Sequence, residues 1–311
     1  MVLLLLVASA GSTCTLYFPT SFGIASLSPA NQPTPGAADW STYWLQMRGQ
    51  GGFQGIYTQW DASGAGNIPE AIVTTAAAGF GSVVVLGITS ALGDPGKTAS
   101  LESMLAKLVT QEPVVYLGLG NEIDEEASFS AVAAFVNQLT DYVHSLGTAV
   151  PVFTVFQYEH LLGLPDAAAR VAQLTSVDFV AFTTYPCLNY SSGAAVPRDY
   201  YQPIANWVHT AIAFTEVGWP SRSQNGPAYP DLHGSEQDQL AFIQTFQSAI
   251  ADYGPFFANW FSLHDPAPWT EGTPVTSFNQ VLTSAGLMAN GSGPAKSALA
   301  AWLNRPAPLP E

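Results

Sequence analysis

The sequence predicts an α/β fold closed as a single (β/α)8 barrel, and three observations carry that expectation. Short apolar or β-branched runs recur eight times along the 311 residues. Ala-, Leu- and Gln-rich segments with helical spacing stand between them, at mostly about 30 to 40 residues per unit. No glycine-rich phosphate loop opens a helix after an early strand, as an open doubly wound sheet would usually show. Gly49, Gly51 and Gly52 precede a strand instead.

The expected strands are 22–26, 53–60, 82–89, 114–120, 152–157, 179–184, 211–215 and 257–262. An apolar run of this length, bounded by turn residues, reads as a strand buried on both faces. The expected helices are 39–50, 69–78, 100–110, 128–146, 165–175, 198–209, 235–253 and 294–303. Pro69 and Pro165 stand at first-turn positions, where a missing N–H costs nothing. Ser128 and Ser235 offer capping hydroxyls. Gly79, Gly147 and Gly254 follow helices where a left-handed residue is wanted. Ala133, Phe135, Val136, Leu139, Tyr142 and Val143 keep an apolar face at i, i+3, i+4 spacing.

Composition narrows the partners. A formal net charge of −15, with no basic run, disfavours nucleic acid and anionic membrane surfaces. Charged residues make up only 10% of the chain and aromatic residues 12%, with eight Trp. A neutral glycan fits that surface, because glycan sites use aromatic platforms. Cys14 and Cys187 form neither a metal motif nor a disulfide framework.

The apolar run 1–10 is too short to span a bilayer and is similar to the core of a secretory signal, although no Lys or Arg precedes it. Gly11-Ser12-Thr13-Cys14 is faintly similar to a lipoprotein cleavage site, with Thr a poor fit before the Cys. The expected organisation is a signal-like or disordered 1–15, a catalytic barrel over 16–305 and a Pro-rich tail at 306–311. The expected setting is secreted or cell-surface, the expected state monomeric, and no integral membrane span is expected.

A barrel gathers the C-terminal ends of its strands around one mouth. Two apolar runs, 114–124 and 211–221, end there in Glu122 and, 94 residues later, Glu216. Two carboxyl groups in different environments supply the proton donor and the negative group that cleavage of a glycosidic bond requires. Asn121 brings an amide able to meet a sugar hydroxyl, and Tyr185 is placed to donate to Glu216 and keep it ionised. Gln157 and Glu159 follow the fifth strand, the latter read as a sugar contact or a loop residue. Trp219 and Trp260 are stacking platforms or core, with Trp260 the favoured platform. His264 with Asp265 is a structural pair or a substrate clamp. The other His residues show no ligand spacing, so neither a catalytic metal nor a cofactor is expected. Spacing alone does not say which glutamate is the acid.

Gly120-Asn121-Glu122-Ile123 and Thr215-Glu216-Val217-Gly218-Trp219-Pro220-Ser221 resemble the two signatures of the clan A retaining glycoside hydrolases. The second stretch, with Thr184-Tyr185-Pro186, is most similar to glycoside hydrolase family 17, the β-1,3-glucanases and related glucanosyltransferases. The resemblance implies Glu122 as acid/base and Glu216 as nucleophile, acting on a β-linked oligo- or polysaccharide, best guessed as a β-glucan. It implies carboxyl groups about 5 to 5.5 Å apart. A β-glucanosyltransferase would use the same residues, and a non-catalytic glycan-binding barrel is the alternative from another class. The close matches cover some twenty residues. Val217 stands where family 17 has Thr, Cys187 where it has an aromatic, and the run 259–265 has no counterpart there.

Overall fold

A computed structural model describes residues 21–27, 53–59, 76, 81–223, 233–263, 265, 284–289 and 295–303. Strands β1 (Ser21–Leu27), β2 (Phe53–Gln59), β3 (Gly81–Gly87), β4 (Val114–Leu119), β5 (Val152–Gln157), β6 (Phe179–Thr184), β7 (Ile212–Val217) and β8 (Phe257–Phe261) pair in chain order. Every pairing is parallel, and β8 closes on β1 through Ser21–Phe257 to Ala25–Phe261. Helices follow from β3 onward: α1 (Pro95–Gln111), α2 (Phe129–Ser145), α3 (Tyr158–Leu162), α4 (Ala167–Val171), α5 (Ile204–Trp207), α6 (Glu236–Ile250) and α7 (Ser297–Leu303). The expected helix 39–50 lies outside the described residues, and 69–78 is described only at Ala76, which is helical. The ends 1–15 and 306–311 also lie outside them.

Strand alternation sorts the core into two layers. Val83, Val85, Phe153, Val155, Phe179, Ala181, Ala213 and Phe257 form one cluster inside the closed sheet. Their neighbours Val84, Leu86, Val152, Phe156, Val180, Phe182, Phe214 and Ala258 belong to a second cluster, under the helices. Tyr116, Phe153, Phe179, Phe256 and Phe257 stack and cross at centroid distances of 4.9 to 6.4 Å, filling the end remote from the mouth. Gly118 makes room for this packing, since a Cβ there would lie 2.8 Å from the Phe153 ring.

Several helices depart from expectation for local reasons. Helix α1 starts five residues early because Asp94 accepts from the Lys97 amide and Pro95 sits at the first helical position. The helix expected at 165–175 is only the short α4, and a further short helix, α3, springs directly from β5 ahead of Gly163 and Pro165. At 198–209 only Ile204–Trp207 is α-helical, just after Pro203, which cannot sit inside a helix without removing a hydrogen bond. Ser235 caps α6, and Gly147 and Gly254 adopt the left-handed conformation expected of them (φ 72° and 52°).

One buried ion pair ties the segments after β7 and β8 to the start of α7. Lys296 Nζ donates to Asp265 Oδ1 (2.7 Å), Ser221 Oγ (2.8 Å) and the Gly286 carbonyl (2.7 Å), with side-chain exposures of 5% for Lys296 and 7% for Asp265. Asp265 is therefore structural. Removing one partner of such a pair leaves an uncompensated buried charge. Lys296→Met is expected to cost about 3 to 5 kcal/mol, read from the urea midpoint of unfolding.

Candidate active site

The backbone turns sharply where β4 ends. Gly120 has φ 85°, and a Cβ there would meet Ile123 at 2.4 Å. Glu122 follows in the left-handed region (φ 50°, ψ 46°), uncommon for a residue with a Cβ. Strain of this kind persists only when surrounding contacts enforce it. Here buried Asp124 does so: its Oδ1 accepts from the Gln157 amide (2.8 Å) and its Oδ2 meets His160 Nδ1 (2.8 Å). The turn after β4 is thereby pinned to the end of β5.

Glu216 reaches the same space by a different device. Along β6, Phe179, Ala181 and Thr183 share the inward face. The β6–β7 register runs Phe182–Phe214 and then Thr183–Glu216, so β7 carries one extra residue at Thr215. A bulge re-aims the side chains that follow it, and Glu216 comes opposite inward-facing Thr183. The strand thus continues through Val217, beyond the expected end at 215.

The two carboxyls lie near enough for the charge of Glu216 to act on Glu122, and they differ in partners. Thr183 Oγ1 donates to Glu122 Oε1 (2.6 Å), and the Tyr185 phenol donates to Glu216 Oε2. Burial pushes both carboxyls up. The Glu122 carboxyl rises to about 8, first from burial and then from the negative charge of Glu216, with Thr183 opposing. The Glu216 carboxyl rises to about 7, the Tyr185 hydrogen bond offsetting part of the burial. Each hydrogen bond favours the ionised form of its own carboxyl, and the two carboxyls titrate as a coupled pair.

Gly218 explains how Tyr185 reaches its partner. A Cβ at 218 would lie 2.6 Å from the Tyr185 ring, so the glycine admits the ring beside the strand. Tyr185→Phe would keep this packing and remove the donor. Without it, Glu216 is harder to ionise. We expect the acid limb of the rate profile to move to higher pH and the rate near neutrality to fall about 10- to 100-fold, checked by kcat/KM against pH.

The remaining expected site residues divide. Asn121 lies beside Glu122, partly exposed, with its Oδ1 buried and unpartnered. Gln157 is buried and committed internally: its Oε1 accepts from the His160 amide and its Nε2 donates to Glu159. Trp219 and Trp260 are corrected from platforms to core. Both are wholly buried, packed on Phe242 in the layer under the helices, and Trp260 also meets Trp302 and donates to the Ala285 carbonyl (2.7 Å). Strand alternation from inward Phe257 turns Ala258 and Trp260 outward, into the layer under the helices. His264 lies outside the described residues. Thr183 was missed by the sequence reading, although counting alternate residues from Phe179 would have found it.

No family model and no curated protein matches the sequence. Solved structures do. A variant of GH5_18 from Streptomyces cattleya, in complex with Manβ1-4GlcNAc, has a TM-score of 0.65 at 15% identity, covering 94% of this chain and 83% of that one. The β-glucuronidase of Ruminococcus gnavus has a TM-score of 0.61 at 13% identity, covering 92% of this chain and 50% of that one. Its complex with C6-substituted uronic isofagomine has a TM-score of 0.63 at 14% identity. The chain spans about half the length of the β-glucuronidase structures it matches. At such identities the similarity establishes the fold: a parallel α/β architecture like that of TIM-barrel glycoside hydrolases. Among the described residues, no helix is long and apolar enough to cross a membrane, and no cluster of His, Cys, Asp and Glu is arranged to hold a metal.

Proposed function

We propose that this chain is a retaining glycoside hydrolase with a complete (β/α)8 barrel, acting on a β-linked glycan, with a β-glucan as the leading candidate. One observation carries the reading: Glu122 and Glu216, at the ends of β4 and β7, act on each other electrostatically, each raised by burial and each held through one oxygen by a donor from the end of β6. The roles follow the clan A resemblance, and the Tyr185 phenol favours the ionised form of Glu216. The family 17 likeness of 215–221 supports a β-glucan, and export, expected from 1–10, belongs to the same proposal.

The chemistry follows from which oxygens are free. Tyr185 holds Glu216 Oε2, leaving Oε1 to attack the anomeric carbon. Thr183 holds Glu122 Oε1, leaving Oε2 to carry the proton. As the Glu216–carbon bond forms, the glycosidic C–O bond breaks and the leaving oxygen takes that proton. In the second step the Glu122 carboxylate takes a proton from water. The resulting hydroxide character attacks the anomeric carbon, and Glu216 departs as carboxylate. Asn121 is placed to bond a sugar hydroxyl beside the reacting carbon.

The test is a panel of β-1,3-, β-1,4- and β-1,6-glucans, galactan, mannan and aryl β-glycosides, with the first-formed anomer read by proton NMR. Cleavage with a β-configured first product supports the proposal, and an α-configured one contradicts it. Sugar acceptors captured in place of water would mark a transglycosylase using the same residues. Binding without cleavage would favour the glycan-binding alternative.

A further inference from the structure

A third buried carboxylate lies beside the site, and the two-carboxylate chemistry does not use it. Glu159 stands in the first turn of α3, two residues past the end of β5. Four donors converge on it. Oε1 accepts from Thr184 Oγ1 (2.7 Å) and the Tyr200 hydroxyl (3.1 Å). Oε2 accepts from Gln157 Nε2 (2.8 Å) and the Tyr185 backbone amide (3.0 Å). The last two groups can only donate, so Oε2 carries no proton. The titratable groups facing Glu159 are Tyr158, Cys187, Tyr200 and Tyr201, each pushed up first by burial and then by the Glu159 charge. Burial also raises the Glu159 carboxyl itself, and its hydrogen bonds from Thr184, Tyr185 and Tyr200 oppose that rise.

The main influences on the Glu216 carboxyl are its own burial and the Tyr185 hydrogen bond. The hold of Glu159 is on Tyr185, whose amide it binds and whose phenol binds Glu216. The Tyr185 ring is bounded on another side by Gly218. Placing the phenol therefore depends on both anchors, one on the backbone and one on the ring. A group that only filled space here would not need four polar partners, because burying a carboxylate is costly and an apolar side chain would pack as well.

We propose that Glu159 is a positioning residue for the nucleophile: by gripping the Tyr185 amide it fixes the phenol on Glu216. The inference rests on the reading of Glu216 as nucleophile. The test is a titration of the full chain with its glutamate carboxyls labelled with carbon-13, the Glu216 signal being assigned through Glu216→Gln. Glu159→Ala and Tyr185→Phe should each raise the Glu216 midpoint by about one pH unit, and the double variant should add nothing further. Glu159→Gln can still accept from Tyr185 and Gln157 while its amide donates to the two hydroxyls, so it should restore most of the wild-type behaviour.

Glu159→Asp keeps the charge but withdraws it by one methylene, and should shift the midpoint as Glu159→Ala does. It decides the matter if Glu159→Ala does not fold. With an aryl β-glycoside, kcat/KM of Glu159→Ala and Glu159→Asp should fall about 10- to 100-fold. A folded Glu159→Asp with an unmoved Glu216 midpoint overturns the proposal. The titration needs no turnover, so its result bears on the clamp alone. A wild-type chain that cleaves no glycoside overturns the glycosidase reading instead, and with it the role of nucleophile.

Discussion

Glu216→Ala is expected to lose about 10⁴-fold or more in kcat on every substrate the wild type cleaves, while keeping its fold. The loss should be this large because no other group can take over at the anomeric carbon. Glu122 is held by Thr183, buried Asp124 is engaged by the Gln157 amide and His160, and Glu159 is enclosed by four donors. Removing the side chain also opens a space where Oε1 stood. Azide should enter it, restore part of the rate on aryl β-glycosides, and yield a glycosyl azide of inverted configuration. A retained configuration, or a variant as active as wild type, would remove Glu216 from the mechanism.

Glu122→Gln has the second largest expected effect, and its size should depend on the leaving group. Unactivated glycans need a proton on the departing oxygen and should slow by about 10²- to 10⁴-fold. A dinitrophenyl glycoside departs without that proton, so its first step should survive and the glycosyl-enzyme should accumulate. The pH profile supplies an independent check. On the proposed mechanism, wild-type activity requires Glu216 ionised and Glu122 protonated. It should fall as pH drops through the Glu216 ionisation, near 7, and as pH rises through the Glu122 ionisation, near 8. A bell-shaped profile follows, and the two midpoints belong to the coupled pair. Glu122→Gln removes the higher ionisation, so its alkaline limb should vanish while the acid limb remains. The measurement is kcat/KM from pH 5 to 10, and an alkaline limb that persists would move the acid role elsewhere.

The strands and both glutamates were legible because burial on two faces leaves a clear apolar signature and because each run ends in an ionisable residue. The phenol–carboxylate contact of Tyr185 with Glu216 was legible too, since both lie at the ends of adjacent parallel strands. What composition could not show was which way a side chain faces. Trp260 and Trp219 look like platforms in a list of aromatic residues near strand ends, yet both pack on Phe242 beneath the helices. The β7 bulge is a further case: it adds a residue at Thr215 without changing the apolar pattern, and so re-aims Glu216 invisibly. The hydrogen bonds that distinguish the two glutamates were equally hidden, because they come from one threonine and one phenol at the end of β6. Glu159 was ambiguous for a related reason. Its four partners come from the end of β5, the end of β6 and the segment before α5, brought together by the pairing of β5 with β6 and the loop that follows.

Covalent trapping tests the central claim most directly. The wild-type chain would be incubated with dinitrophenyl 2-deoxy-2-fluoro-β-glycosides of the sugars it cleaves, then digested and mapped by mass spectrometry. The account predicts time-dependent inactivation with one sugar attached, carried as an ester on Glu216 and absent from Glu216→Ala. A label on Glu122 or on Glu159, or inactivation that leaves Glu216 unmodified, would contradict it.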